Sequence, residues 1–300
     1  LIGFSIFILL VHYKYPIWSW FVAIIFAELN TISAGGLVRR RWILVLPHEK
    51  LKTTAYSFEA LVDEVVFVFG PLIATALSTY VAPEAGLMAS MCFVALGQPA
   101  LARLKDTEPP FGAKNPSNAE VSIWRRRSTQ AIILPIFFVG AYFGSVGITV
   151  LAFLNSIERQ ELTGALLAVW ALGSATAAIF NGVIKWQMNH AQLFTYSLAF
   201  MLFASFALLM VDNVWQLAIV LYLNGIGISP VLVNAYATME SEVSTEELTE
   251  AMTWVTTGTP TGGALGSAVA GQIIDSFGAS RGFWIPIAAL IIANLALLPY

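Results

Sequence analysis

Long apolar blocks separated by short polar segments run through the whole sequence. Nine of them are about 20 residues long or longer, which is the length that a helix needs to cross about 30 Å of hydrocarbon. A helix satisfies its own backbone hydrogen bonds, so it is the expected form of a membrane-crossing segment. The predicted helices are 16–37, 54–81, 84–104, 129–155, 162–184, 191–211, 214–238, 248–274 and 282–300.

One further apolar stretch, residues 1–11, is too short to cross a bilayer alone. It lacks the positively charged start and the small-residue cleavage site of a signal peptide. We interpret it as the end of a helix whose beginning is absent, and we therefore expect the chain to be incomplete at its N-terminus.

The composition favours the same class of protein. The chain contains 58% hydrophobic and 11% charged residues, whereas soluble domains carry about 25% charged residues. The net charge of −3 argues against nucleic acid as a partner. The one cysteine, Cys92, cannot form an intrachain disulfide, and the sequence shows no metal-ligand spacing, nucleophile–base pair or phosphate loop. We expect a protein that is not an enzyme and has no catalytic residues, metal or cofactor.

Basic residues in the joining loops indicate the orientation of the helices. If successive spans alternate, twelve of the 15 basic residues fall on one side of the membrane. These are Arg39, Arg40, Arg41, Lys50, Lys52, Arg103, Lys105, Lys114, Arg125, Arg126, Arg127 and Lys185. The rule predicts that this side is cytoplasmic, which places loops 38–53 and 105–128 in the cytoplasm of a multi-pass protein of the inner or plasma membrane.

A weak internal repeat is also present. The dipeptide Leu-Asn occurs at residue 29 and again 194 residues later, and Glu-Ala occurs at residue 59 and again 191 residues later. Both pairs lie in consecutive predicted helices. A parallel repeat of this length holds about six helices, which predicts two six-helix halves.

Four stretches carry a resemblance to a known family. They are the basic turn 39–42 after Gly35-Gly36, the acidic and aromatic helix 58–71, the Gly/Pro segment 225–230, and the glycine-rich helix that begins at 250 and ends with 271–278. Together they resemble bacterial members of the major facilitator superfamily, of the drug and sugar efflux type.

The resemblance implies an all-α polytopic membrane protein with the major facilitator fold, in which helices 1 and 2 and part of helix 3 are absent. It divides the chain into a partial N-terminal half at 1–104 (helices 3–6), a central cytoplasmic loop at 105–128 and a six-helix C-terminal half at 129–300 (helices 7–12). The sequence departs from the family where Trp186 replaces the aspartate of a gating motif. It departs again where Gly147 follows Phe-Gly-Ser-Val, since related proteins often have an acid there.

Four acidic residues in predicted spans are candidates for proton coupling. Ionisable groups near the bilayer midplane are costly and are functional candidates by default, and a carboxylate without a basic partner tends to bind a proton. The alternative is that Glu59 pairs with the basic turn and that the others bond neighbouring helices. The candidates are Asp63, Glu64, Glu59 and Glu28.

Polar, aromatic, glycine and proline residues in the spans supply the remaining candidates. Each substrate-contact candidate has an alternative role as an interhelical contact, and each glycine or proline an alternative role in ordinary packing. The substrate-contact candidates are Asn224, Tyr142, Tyr236, Trp254 and Thr257. The gating or packing candidates are Gly70, Pro71, Gly227, Pro230, Gly258, Gly262 and Gly266.

The expected function is secondary active transport of a small organic molecule by alternating access, with proton-coupled efflux as the expected mode. The expected partners are the lipid bilayer, a small-molecule substrate and protons, and the oligomeric state stays open. Two alternatives also stay open: uptake of a sugar or metabolite, and a transport-incompetent fragment that needs its missing helices.

Overall fold

The computed structural model describes residues 1–29, 38, 41–42, 45–46, 49–108, 123–184, 187–244 and 247–298. Within these ranges the secondary structure is helical and contains no strand. The helices are α1 (Ile2–His12), α2 (Ile17–Leu29), α3 (Glu49–Tyr80), α4 (Ala85–Arg103), α5 (Arg127–Ser156), α6 (Thr163–Val183), α7 (His190–Phe206), α8 (Val214–Ile226), α9 (Ile228–Glu242), α10 (Leu248–Phe277), α11 (Ala279–Gly282) and α12 (Trp284–Leu295).

The predicted helix 214–238 is divided in the structure into α8 and α9. The break is at Gly227, whose amide donates to the carbonyl of Asn224 at 3.2 Å. Pro230 lies just beyond and has no amide hydrogen to offer the carbonyl of Ile226, so the regular helical bonding cannot continue through this turn. The last predicted helix, 282–300, is also shorter in the structure, because α12 ends at Leu295.

Local sequence explains several helix boundaries. Asn189 precedes α7 and accepts a bond from the amide of Gln192, whose side chain in turn accepts from the amide of Asn189. This reciprocal pair satisfies two of the free amides at a helix start. Asn213 caps α8 in a similar way by accepting from the amide of Gln216.

The chain forms two compact units, Leu1–Val62 with Ile73–Lys114, and Asp63–Leu72 with Asn115–Tyr300. The division into partial N-terminal half, central loop and C-terminal half that the sequence indicates stays a prediction. In the first unit, Gly3 of α1 lies against the backbone of Ala27 in α2, and Gly86 of α4 lies against the carbonyl of Ala74 in α3.

The second unit is built around α5. Tyr142, Val146, Val150 and Leu154 recur at every fourth position of this helix and are at most 1% exposed. Residues four apart share one helix face, so this stripe faces the interior of the unit. Phe283, just before α12, adds a ring contact at 5.8 Å to Phe153.

Small residues let α5 and α10 pack backbone to backbone. A Cβ atom added at Gly140 would overlap the carbonyl of Thr259, and one added at Gly262 would overlap the carbonyl of Phe137. Gly144 and Gly266 show the same close approach one turn further along. Small residues are the typical means of close helix contact in membranes, and here they fix the spacing of the two helices that carry the candidate site.

A second pair of helices, α6 and α8, also packs backbone to backbone, with one glycine on each helix at the contact. A Cβ atom at Gly173 would overlap the carbonyl of Tyr222, and one at Gly225 would overlap the carbonyl of Trp170. The tight packing of the second unit therefore rests on glycines at two separate helix pairs.

Large apolar side chains cover much of the outside of these helices. Phe203 is 72% exposed and Trp215 is 80% exposed, which would be unfavourable in water and is suited to a lipid environment. Five described segments are long and apolar enough to cross a membrane: Ala85–Arg103, Arg127–Ser156, Gln160–Phe180, His190–Met210 and Val214–Glu242.

Candidate functional site

An apolar cleft of about 350 Å³ lies between α5 and α10, on the half of each helix that is nearer its N-terminus. Its volume is within the range of about 300–1,000 Å³ typical of small-molecule sites. Because both helices begin at the end predicted to be cytoplasmic, the cleft lies towards that end of the second unit. The lining residues are Trp124, Ile133, Leu134, Phe137, Phe138, Trp254, Thr257, Gly258 and Thr261.

The cleft exists because the close contact between α5 and α10 stops about three turns short of their N-terminal ends. At Gly262 the helices touch backbone to backbone, whereas a Cβ atom at Gly258 would lie 3.9 Å from the amide nitrogen of Phe137, its nearest neighbour. The two helices therefore separate between these two glycines. The absence of a side chain at Gly258 leaves the resulting space open.

Aromatic rings form the walls of the cleft. The indoles of Trp124 and Trp254 lie 5.1 Å apart at 33°, and the rings of Phe137 and Phe138 meet edge to face at 5.3 Å. Trp124 is 38% exposed and Trp254 is 40% exposed. Each indole therefore has surface left for contact with another molecule.

Two threonines lie in the lining of the cleft, but the surface that faces the cleft is formed almost wholly by apolar atoms. The hydroxyl of Thr261 donates to the carbonyl of Thr257 at 2.7 Å. Thr257 is an exposed residue, and its hydroxyl makes no hydrogen bond within the part of the chain that the structure describes.

An ion pair lies at the same end of the second unit. Arg126, next to α5, donates to both carboxylate oxygens of Glu247 at 2.8 and 2.5 Å. The amide and hydroxyl of Ser244 also donate to Glu247, at 3.3 and 3.2 Å. The bonds from Arg126 are the main cause of a lowered pKa at Glu247, and the same bonds raise the pKa of Arg126. Both groups stay charged at neutral pH and neutralise each other.

A second polar cluster, which we call the Asn224 node, joins α5, α7 and α8. Tyr142 and Ser205 both donate to the side-chain oxygen of Asn224, at 3.0 and 2.6 Å. The side-chain nitrogen of Asn224 donates to the carbonyls of Ala204 and Val220 at 3.1 and 2.9 Å. All three side chains of the node are 0% exposed.

The five substrate-contact candidates are thus distributed over different environments. Trp254 and Thr257 line the cleft, whereas Tyr142 and Asn224 are bonded to each other inside the node. Tyr236 is partly buried against the apolar core. Their roles in ligand binding stay predictions.

The gating and packing candidates also differ in their surroundings. Gly262 and Gly266 lie at the close contact with α5, and Gly258 borders the cleft. Gly227 forms the break between α8 and α9, where a Cβ atom would overlap the side chain of Met201, and Pro230 lies in the first turn of α9. Around Gly70 nothing lies within 4 Å of an added Cβ atom, and Pro71 lies in α3 with a side chain outside the described part.

The four acidic candidates lie in helical backbone, Glu28 in α2 and the others in α3. Their side chains are outside what the structure describes, so proton coupling stays a sequence-based prediction. Among the described residues, no group of three or more His, Cys, Asp or Glu side chains could hold a metal ion.

Of the aromatic wall residues, the sequence identified Trp254 and did not identify Trp124, Phe137 or Phe138, and it did not identify the ion pair. Phe137 and Phe138 lie in a continuous apolar block that carries no distinguishing pattern. Trp124 does carry a signal, because it directly precedes a basic run and so marks a membrane interface. The pairing of Arg126 with Glu247 joins residues 121 positions apart and leaves no local signature.

The comparison with protein families gives one match. The model of the Major Facilitator Superfamily matches residues 161–300, which is just under half of the chain and begins immediately before α6. No curated protein and no solved structure matches the chain. From α6 to its last residue the chain is similar to the Major Facilitator Superfamily, and its all-α fold is consistent with a membrane protein of that type.

Proposed function

We propose that this protein is a secondary active transporter that moves a small organic molecule across the membrane by alternating access. The observation that carries this proposal is the match of residues 161–300 to the Major Facilitator Superfamily. The helices that are apolar and long enough to cross a membrane support it. We propose no enzymatic activity.

Efflux is the direction that we favour. The cleft lies towards the N-terminal ends of α5 and α10, and these ends are predicted to be cytoplasmic from the basic loops. Trp254 and Thr261 lie about 9 and about 20 Å along α10 at 1.5 Å per residue. A cleft at this depth runs from the membrane interface towards the bilayer centre, which is where a substrate leaving the cytoplasm would first bind.

Proton exchange is the coupling that we favour. Asp63 and Glu64 lie about 21–23 Å from the N-terminal end of α3, at 1.5 Å per residue, which is near the middle of this 32-residue helix and so near the expected midplane of the bilayer. A carboxylate in a low dielectric binds protons more readily than one in water. A proton bound from one side and released to the other could drive a substrate in the opposite direction.

Proton movement in proteoliposomes tests both parts of the proposal. Purified protein is reconstituted with a pH-sensitive dye inside the vesicles, a pH gradient is imposed, and compounds from a panel are added one at a time. We expect at least one compound to accelerate the collapse of the gradient. Asp63→Asn should abolish the response, and Asp275→Asn, at an exposed acid near the far end of α10, should keep it.

Each outcome addresses one part of the proposal. If Asp63→Asn and Glu64→Gln both respond as the unmodified protein does, proton coupling through these residues is wrong. If a radiolabelled compound is transported without any proton movement, transport stands and proton exchange does not.

A further inference from the structure

We propose that the cleft between α5 and α10 binds an uncharged, planar aromatic molecule, and that molecules of this class are the transported substrates. This inference rests on the proposed transport function and specifies its substrate. The volume of about 350 Å³ accommodates a fused two- or three-ring compound.

The planar shape of the proposed ligand is inferred from the walls of the cleft. Trp124, Trp254, Phe137 and Phe138 present flat rings from the segment before α5, from α10 and from α5. The two indoles are tilted by only 33°, so a flat molecule can contact both with its face or edge. Aromatic rings prefer offset-stacked or edge-to-face contacts with other rings, which a saturated molecule cannot make.

The uncharged state of the proposed ligand is inferred from the residues that line the cleft. None of the lining residues that the structure describes carries a charge. At this end of α5 and α10, Arg126 and Glu247 already form two hydrogen bonds with each other, and Arg127 and Glu250 are exposed and do not line the cleft. A charged ligand would therefore lose its hydration without gaining a partner of opposite charge, which is costly in an apolar environment.

The lining offers a ligand almost no polar surface. Thr257 and Thr261 are among the lining residues, but the surface that faces the cleft is formed almost wholly by apolar atoms. The hydroxyl of Thr261 donates to the backbone. A single small polar group on the ligand, such as a hydroxyl, is therefore accommodated at the open side of the cleft and not against its walls.

A set of four matched probes tests the class of ligand. The first is tritiated 2-naphthylmethanol, which is neutral, planar and carries one hydroxyl. The competitors are decahydro-2-naphthylmethanol, which is saturated, 2-naphthoate, which is an anion, and 2-naphthylmethyl-trimethylammonium, which is a cation. Binding to the purified full chain in detergent is measured by scintillation proximity. We expect saturable binding of the first probe and at least about tenfold weaker competition by the other three.

Variants locate the binding to the cleft. Gly258→Leu fills the space beside Phe137 and should weaken binding about tenfold or more. Gly271→Leu is its matched control, because Gly271 lies on the same helix with nothing within 4 Å of an added Cβ atom. This variant should bind the probe normally.

Tryptophan variants test the aromatic wall. Trp254→Leu should weaken binding about fivefold, which is the size of one aromatic contact, while Trp254→Phe keeps a ring and should weaken binding less. Trp215→Leu, at an 80% exposed tryptophan outside the cleft, should have no effect.

The outcomes separate this inference from the proposed function. No saturable binding, unchanged binding in Gly258→Leu, or tighter binding of the cation or anion would overturn the ligand class. Equal competition by the saturated probe would overturn it in favour of a site for lipid acyl chains. If other compounds are transported and 2-naphthylmethanol does not bind, transport stands and the inference fails. If 2-naphthylmethanol binds as expected and nothing is transported, the site stands and the transport function fails.

Discussion

Two clusters of polar and aromatic side chains in the second unit look alike in sequence and differ in structure. The Asn224 node is sealed, with every member 0% exposed. The cleft is open, and its Trp254 is 40% exposed. From the sequence, members of both clusters are equally good candidates for substrate contacts, because both clusters contain polar or aromatic residues in spans expected near a cavity.

The difference lies in the kind of surface that each cluster presents. The side chain of Asn224 accepts two hydrogen bonds and donates two, which is all that an amide side chain can make. The surface of the cleft is formed almost wholly by apolar atoms. A filled set of hydrogen bonds holds helices together in a membrane, whereas an apolar surface beside open space is suited to an apolar ligand.

The largest effect is expected at the close contact that bounds the cleft. Gly262→Ala would place a methyl group on the carbonyl of Phe137, so α5 and α10 would have to move apart. We expect a loss of about 1–3 kcal/mol in the free energy of unfolding, as for other overpacked interiors. Thermal unfolding in a fixed detergent measures it.

Gly258→Ala is the matched control, one turn earlier on the same helix. An added Cβ atom there has no neighbour closer than 3.9 Å, so stability should change by no more than a few tenths of a kcal/mol. If the two variants unfold at the same temperature, the helices do not separate where the structure places the cleft.

A smaller effect is expected at the Asn224 node. Asn224→Ala would leave the hydroxyl of Tyr142 without its acceptor in a buried site, whereas Ser205 would keep its bond to the carbonyl of Met201. Interhelical hydrogen bonds in membranes contribute about 0.6 kcal/mol on average and at most about 2 kcal/mol, so we expect a loss of about 1 kcal/mol, measured in the same unfolding assay.

Tyr142→Phe should cost less, because Ser205 still donates to Asn224 in that variant. Trp254→Phe, in the open cleft, keeps a ring against Trp124 and should leave stability nearly unchanged while it weakens ligand binding. A stable Asn224→Ala variant together with an unstable Trp254→Phe variant would reverse the roles that we assign to the two clusters.

The smallest effect is expected from the ion pair at the end of the cleft. The pKa of Glu247 is lowered in the folded protein, mainly by its hydrogen bonds from Arg126. The stabilisation is therefore fully present above the ordinary glutamate pKa of 4.5 and is lost as the pH falls through the lowered native value. The pair is partly exposed, with side-chain exposures of 35% and 25%, so salt should weaken it further.

Unfolding profiles between neutral and acidic pH should show this dependence. Glu247→Gln should be less stable than the unmodified protein at neutral pH, and the difference should disappear in acid. Glu240→Gln, at an exposed residue near the end of α9, serves as the control and should follow the unmodified profile. A constant difference between Glu247→Gln and the unmodified protein at all pH values would contradict the assignment.

Much of the helical organisation could be predicted from the sequence, because apolar blocks of membrane-crossing length leave few alternatives. Helix α5, predicted as 129–155, spans Arg127–Ser156 in the structure. The break at Gly227 could not be located in the same way, since a proline in an apolar block permits a kink without requiring one. Of the residues that line the cleft, Trp254 and Thr257 were sequence candidates, and Trp124, Phe137 and Phe138 were not.

The sequence by itself determined that this chain is helical and apolar, with basic loops that indicate one side, since each of these properties depends on residues close together in the chain. Only the tertiary structure decided which candidate residues are hydrogen-bonded to each other in the interior and which border open space. A Cβ atom at Gly262 would overlap the carbonyl of Phe137, whereas one at Gly258 would lie 4.0 Å from the carbonyl of Ile133, because the two helices separate within a single turn. That separation depends on contacts between residues more than 100 positions apart, which no local pattern records.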